Sequence, residues 1–430
     1  MIRRPPLREE RRQRRRHRRD KRRERRRIRA NPYLFSFLGT IVRWALVSIF
    51  NVHTEGLDVL HKQRGAFLLV GNHSAVIDPF LVGCFANRPI HFVAADSQFR
   101  SRFVSILFNL VGVIPKTKVL ADLDTVKKIV TVKQTGGVIG LFPEGQNGWD
   151  GHSLPIIKAT DKLVKSLKIP VIAVQIRGAY LSWPRWARRI RRGKITLYFK
   201  KILEPADLRS MSATEVGSVL EDALAFDAFE YQRFAQTRFR GPRRAEYLER
   251  ALFVCPECKR VDTLHSRGQR LSCTVCGYTV RMNNRGFFEP RGGSLYFETI
   301  RDWNLWQIDE YHRYIDRFLD ASTDDATGGT EQIIAEGAIT IEEGYKTQPL
   351  TLLGTGPMTL YRDRIEVVPD AGGPLVFGIR AVEGINVQNN EHLEFYVNDT
   401  LYRISAVNPR GNTYKWDLAV RYLQRRLSSG

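Results

Sequence analysis

Cysteine is scarce, with five residues in 430, and so is methionine, with four. Four of the cysteines stand as two Cys-x-x-Cys pairs, Cys255/Cys258 and Cys273/Cys276. Thiols paired that way suit a metal better than a disulfide framework and point to a reducing compartment. Long apolar runs are also few: only residues 33–50 approach the length needed to cross a bilayer, which excludes a polytopic membrane protein. Acidic residues are outnumbered, 45 against 68 Lys and Arg, for a net charge of +23. At this length two or three domains are expected, with a globular apolar content of 43%.

The positive charge is concentrated. Residues 1–30 hold 17 Lys/Arg and 4 Asp/Glu, more than half of the net excess. The run RRQRRRHRRDKRRERRR has almost nothing apolar to bury and reads as a solvated, disordered arm whose partner is polyanionic: an anionic membrane surface or nucleic acid. The next stretch favours membrane. In YLFSFLGTIVRWALVSIF (33–50) Ser36, Thr40 and Arg43 recur at i, i+4 and i+7, so a helix would carry one narrow polar stripe. Eighteen residues span roughly 27 Å, short of a core of about 30 Å, and Arg43 makes crossing costlier. Residues 31–52 are therefore expected to lie in the membrane interface, making the protein peripheral or monotopic on the cytoplasmic face. The competing expectation is a buried amphipathic helix of the globular body.

From 60 to 205 apolar runs alternate with helical patterns. Strands are expected at Ala66–Val70, Ile90–Ala94, Gly137–Phe142, Pro170–Ile176 and Ile195–Lys200, with helices near 79–87, 97–111, 122–135 and 158–168. Continuous Val/Ile/Leu/Phe strands between helices indicate a sheet covered on both faces, a layered α/β domain over 53–230 that closes with a helix at 213–228. QTRFRGPRR makes 231–252 a basic linker.

Fourteen residues separate CPEC from CTVC. Two such knuckles supply four thiolates in a tetrahedral array, so 253–285 is expected to be a small zinc ribbon with structural zinc on Cys255, Cys258, Cys273 and Cys276 and no open position for chemistry. Residues 286–430 begin with a helical pattern and become β-rich from about Ala335, ending in a helix with Trp416, Ala419, Val420 and Leu423 on one face. That order of elements loosely resembles a pleckstrin-homology or GRAM-like domain.

Two turns carry candidate chemistry. VGNHSAVIDP (70–79) ends one apolar strand with His73 and, five residues on, Asp78. GLFPEG (140–145) ends another with Glu144 and Gly145. Alone, each is ordinary turn composition, and Asp78 before Pro79 reads equally as a helix cap. In open α/β sheets, however, sites form outside the carboxyl ends of strands, where these three side chains would converge. Cys84 is expected in the core, the other eight histidines carry no comparable context, and Trp183 and Trp186 either pack or meet a membrane interface.

At this point residues 50–205 resemble the glycerolipid acyltransferases typified by bacterial lysophosphatidic acid acyltransferase. NHSAVID matches the family's His-x4-Asp with Asn72 in front; LVGVIPKTK (110–118) is similar to its second block, LFPEG to its third and KIPVIAVQI (168–176) to its fourth. The resemblance implies transfer of an acyl chain from acyl-CoA or acyl-ACP to a lysophospholipid hydroxyl, without a redox cofactor. His73 and Asp78 would be the catalytic pair, and Lys118, Glu144 and Gly145 would bind the acceptor. Ser74 would be a bystander, an acyl-Ser74 route being the minor alternative. Two departures weaken the phosphate reading: Lys118 stands for an arginine, and Gln146-Asn147 for Thr-Arg. Lysine loses the bidentate fork and asparagine the charge. The basic cluster PRWARRIRRGK (184–194) is one possible replacement, a solvated surface the other. Competing readings are an acyltransferase for another lysophospholipid or a glycolipid, a retired lipid-binding member of the family, and a nucleic-acid-binding zinc-ribbon protein. Against nucleic acid, the arm lacks interleaved aromatics and the ribbon is only mildly basic.

Overall fold

A computed structural model describes residues 30–116, 123–321, 331–370 and 372–428. All but the last residue of the expected basic arm, and Lys118, lie outside the described residues.

Asn31 caps the first helix, α1 (Pro32–Phe50), its side chain accepting from the amides of Tyr33 and Leu34, with Pro32 at the first position. The α/β unit then runs β1 (Val52–Glu55), α2 (Leu57–Lys62), β2 (Phe67–Gly71), α3 (Asp78–Gly83), β3 (Ile90–Ala95), α4 (Arg102–Val111), β4 (Ile114–Lys116), α5 (Leu123–Gln134), β5 (Val138–Leu141), α6 (Thr160–Leu167), β6 (Val171–Arg177), β7 (Ile195–Leu203), α7 (Ala213–Leu224) and α8 (Ala228–Ala235). The sheet order is β1-β7-β6-β2-β5-β3-β4, parallel except where β6 meets β7. Every residue of β2 is buried, as a strand covered on both faces must be. Phe67 and Leu69 face Phe50 of α1, Leu60 of α2 and Leu81 of α3, whereas Leu68 and Val70 face Ile129 of α5, Val164 of α6 and Leu220 of α7. Each such side chain contributes ~1.5–3 kcal/mol on burial. All five expected strands are present; the short edge strands β1 and β4 carry too little apolar pattern to be noticed.

β8 (Leu264–Arg267), β9 (Arg270–Cys273), β10 (Thr279–Met282) and β11 (Phe288–Pro290) form a small antiparallel sheet around the cysteines. After α9 (Ile300–Ala321), seven antiparallel strands follow: β12 (Ile334–Gly344), β13 (Thr351–Leu360), β14 (Arg364–Val367), β15 (Leu375–Gly378), β16 (Glu383–Gln388), β17 (His392–Val397) and β18 (Thr400–Ala406). Their order is β15-β14-β13-β12-β18-β17-β16, and two register shifts bend β12 against β13 into a half-barrel. The last helix, α10 (Thr413–Ser428), covers it with Trp416, Ala419, Val420 and Leu423, all buried.

The expected linker is the main correction. Ala245, Leu248, Ala251 and Leu252 are buried, and their core continues from Trp149, Tyr180 and Trp186 of the α/β unit through the ribbon to the half-barrel. Of the arginines that suggested solvent, Arg238, Arg240 and Arg243 are exposed, whereas Arg244 donates to the carbonyls of Asn283 and Gly241. One core cluster thus runs through all three units, beside the two that flank the α/β sheet. Trp186 is fully buried in that cluster, away from any membrane interface, and Trp183 packs half-buried on the α/β core.

Candidate active site

β2 ends at Gly71, where a Cβ would stand 2.9 Å from the Phe142 ring and 3.1 Å from Val174. The bare backbone lets Phe142 slide beneath the following turn and stack on His73, ring centroids 4.6 Å apart. Asn72 pins the turn to β6: its Oδ1 accepts from the Ile176 amide at 2.7 Å, and its Nδ2 donates to the Ile176 carbonyl at 3.2 Å. The same amide group donates to Ser74 Oγ.

Asp78 is fully buried and turns back over the loop it closes. Its Oδ2 accepts from the amides of Ser74 at 2.6 Å and Ala75 at 2.8 Å and from His73 Nδ1 at 3.0 Å. It is therefore no helix cap; its hydrogen bonds go to the residues before it. With Nδ1–H given to the carboxylate, the imidazole presents a lone pair at Nε2. Nε2 has no hydrogen-bonding partner among the described residues, and the ring retains 16% exposure. A buried carboxylate orienting an imidazole whose other nitrogen faces outward can accept a proton and stabilise the resulting cation.

Glu144 comes from the turn after β5. Gly145, at φ +71°, has room for no side chain, since a Cβ would meet Ile157 at 2.4 Å. The buried Glu144 carboxylate takes the His73 amide on Oε1 at 2.9 Å and the Leu154 amide on Oε2 at 2.8 Å. Burial pushes its pKa up to about 8, with those two amides pulling the other way. Glu144 thus links the two expected turns directly. Phe142, Asn72 and the Leu154 amide are the partners that spacing alone did not single out as site-building.

Half of the basic cluster is committed elsewhere, while Arg189, Arg192 and Lys194 are exposed. Arg185 is buried over the Trp149 ring and donates to the Asn147 carbonyl at 2.8 Å and to the Val387 carbonyl of β16. Arg191 is buried against the carbonyls of Leu181 and Arg244, and Arg188 pairs with Glu391. Cys84 is a core thiol, its pKa raised by burial.

The four paired cysteines bring their sulfurs within 4.8 Å of one another, with Cys255–Cys276 at 3.6 Å and Cys258–Cys273 at 3.7 Å. Four sulfurs about 2.3 Å from a shared tetrahedral centre would be roughly 3.8 Å apart, so the set fits zinc. Both knuckles turn through a left-handed residue after the second cysteine, Lys259 and Gly277.

Residues 51–177 match the family model "Acyltransferase". Relatives include 1-acyl-sn-glycerol-3-phosphate acyltransferases of Limnanthes alba, 24% identical over 37% of this chain and 58% of that protein, and of Brassica napus, a chloroplastic protein 21% identical over 31% of this chain and 40% of that protein. The chain thus spans about half the length of the curated relatives it matches. Among solved structures, the 1-acyl-sn-glycerophosphate acyltransferase of Thermotoga maritima is similar over 45% of this chain and 77% of its own, at 21% identity and a TM-score of 0.40. What this chain shares with the acyltransferase family is the segment 51–177, which holds His73, Asp78, Glu144 and Gly145.

Proposed function

We propose that the protein transfers an acyl chain from acyl-CoA or acyl-ACP to the free hydroxyl of a lysophospholipid, 1-acylglycerol-3-phosphate first among them, at a membrane surface. The observation that carries this reading is the His73–Asp78 couple, ordered by six consecutive residues and Glu144, inside the segment similar to acyltransferases.

In this mechanism the acceptor hydroxyl gives its proton to His73 Nε2 as its oxygen attacks the thioester carbonyl. Base assistance of this kind is worth on the order of 10²–10⁴ in rate. Asp78 stabilises the imidazolium, which then protonates the leaving thiolate as the C–S bond breaks. Attack is direct: the Ser74 hydroxyl is held by Asn72, and no hydrogen bond joins it to His73. Glu144 and Gly145 shape the acceptor side by holding the turn, while Lys118 supplies charge for a phosphate. The alternative acceptor, another lysophospholipid or a glycolipid, is favoured by one observation. Asn147 stands where the family has arginine, and the nearby Arg185 is spent on backbone carbonyls.

The cysteine set would hold a structural zinc, a closed four-thiolate site that staples its sheet. Membrane contact falls to α1 and α4. By length and composition α1 could cross a bilayer, yet Val42, Leu46 and Ile49 pack on the α/β core while Tyr33, Phe37, Ile41 and Trp44 form an exposed stripe. Phe103, Ile106 and Leu110 of α4 add a second stripe, joined to α1 by the Asn31 amide bonding the Leu110 carbonyl. A helix with one face on protein and the other apolar and bare lies flat on a bilayer.

The test is thiol release from an acyl-CoA by the purified protein, with and without lysophosphatidic acid in mixed micelles, beside His73→Ala. Release that needs both the acceptor and His73 supports the reading. Release that needs His73 but ignores this acceptor redirects the search to another hydroxyl lipid. An undiminished rate in His73→Ala sinks the mechanism.

A further inference from the structure

The loop Gly145–Ser153 has its two ends fastened to one side chain, since Glu144 opens it and Leu154 closes it on Glu144 Oε2. Its base therefore touches the His73 turn. Its tip is held from far along the chain. Asp150 is buried, and its Oδ2 accepts from Arg301 Nη1 at 2.8 Å and from Asn304 Nδ2 at 2.9 Å, both on α9; its Oδ1 caps the His152 amide. Trp149 stacks on Tyr414 of α10 at 4.7 Å between ring centroids, and its carbonyl accepts from Tyr180 Oη. Arg185 ties the Asn147 carbonyl to the Val387 carbonyl of β16.

The same half-barrel edge reaches the neighbouring strand exit. Beyond β3, Ser97 donates to Gln388, Gln98 to Asn389, and Arg100 pairs with Glu394, both side chains buried. β3 and β5 are adjacent in the sheet, and β5 lies next to β2, which carries His73. The C-terminal unit thus grips the two loops that leave the sheet beside the candidate site. A tether built only to hold a domain nearby has no need of a buried carboxylate paired with both an arginine and an asparagine at the tip of that loop.

We propose that the C-terminal unit is a working wall of the active site: Arg301, Asn304 and Tyr414 act as positioning residues that, through Asp150 and Trp149, set the loop 146–151 against which the lipid acceptor binds. The proposal rests on the acyl-transfer reading above. It assigns the C-terminal unit to acceptor recognition and leaves the thioester side to the α/β unit. A misplaced positioning element of this sort degrades binding of the substrate it faces.

The experiment uses the full-length protein and four forms: wild type, Arg301→Gln, Arg301→Lys and Ile365→Val. Ile365 is a buried residue of β14, at the far end of the half-barrel from β16. Lysophosphatidic acid is varied in mixed micelles at saturating acyl-CoA, then the reverse. Arg301→Gln is expected to raise the acceptor KM by about fivefold or more while kcat and the acyl-CoA KM stay within about twofold, and Arg301→Lys to recover most of the loss. Ile365→Val should move none of them. An unchanged acceptor KM in Arg301→Gln overturns the proposal, as does a parallel change in both KM values shared by Ile365→Val. Hydrogen exchange of the same proteins separates the proposal from the activity it rests on. Loss of protection at amides 147–152 in Arg301→Gln, restored in Arg301→Lys, upholds the positioning even if no acyl transfer is found. Wild-type protection in Arg301→Gln overturns it.

Discussion

Two loops meet at Glu144 and are built on opposite principles. The turn after β2 is ordered from within: Asp78 gathers His73, Ser74 and Ala75, residues three to five positions away. The loop after β5 is ordered from without, by Arg301, Asn304 and Tyr414, more than 150 positions along the chain. A local motif survives transplantation between chains because its partners travel with it. A loop completed by distant residues can be rebuilt with each new C-terminal architecture while the turn beside it stays the same. On the proposed reading, chemistry resides in the first loop and the choice of acceptor in the second.

The sharpest way to break that contrast is at the local turn. His73→Ala should lower kcat by about 10²–10⁴ or more with little change in melting temperature, as steady-state thiol release beside a thermal scan will show. Asp78→Asn should also lower kcat steeply and cost stability too, because its buried oxygen organises two amides. A variant that keeps wild-type kcat at either position would remove the first loop from the chemistry.

Next in size is the metal staple. Cys255→Ser should abolish stoichiometric zinc by metal analysis and destabilise by several kcal/mol. Because the ribbon shares its interior with Trp149 and Tyr180, the loop after β5 should loosen with it. Full zinc content in that variant contradicts the four-cysteine site.

Glu144, which joins the two loops, gives a pH signature. Its folded pKa of about 8 lies above the ordinary 4.5, so the fold favours the protonated form. That stabilisation is complete below about pH 4.5 and is lost as the pH rises through 8. Glu144→Gln should flatten this part of the profile, so denaturant titrations of the two proteins should diverge progressively between pH 5 and 8. Parallel profiles would mean that Glu144 is ionised throughout.

The smallest effect is expected at the membrane face. Full burial of an aromatic is worth ~1.5–3 kcal/mol, and half-burial of each at the interface means that Phe103→Ser with Trp44→Ser should lower partition into anionic vesicles by about tenfold or more. Stability should change little, because both side chains are about three-quarters exposed already, Phe103 at 77% and Trp44 at 75%. Undiminished flotation would assign membrane contact elsewhere.

What was legible in the chain follows the same division. The five main strands were marked by apolar runs, and the four residues on the final helix, Trp416 to Leu423, by their spacing; all are where the pattern puts them. His73, Asp78 and Glu144 could be named because each ends an apolar strand in a polar turn. That Glu144 would hold the His73 amide could not be read, since side-chain hydrogen bonds between turns leave no periodic trace. Asp150 was invisible for a different reason: in NGWDG it looks like turn filler, and its partners are set by packing in another unit. In the expected linker Arg238, Arg240 and Arg243 do face solvent, and what this composition hides is the short apolar set behind them, Ala245, Leu248, Ala251 and Leu252, too brief to show a period yet buried in the shared core.

The reach of the Asp150 clamp also bears on synthesis. A ribosome adding about 5–20 residues per second needs roughly 15–50 s to proceed from the loop after β5 to Tyr414, which stacks on Trp149. During that interval the nascent chain holds every residue of the His73 turn but lacks the later apolar surface that covers Trp149 and Tyr180. On the proposed reading, the acceptor site is complete only when residues as late as Tyr414 have been made.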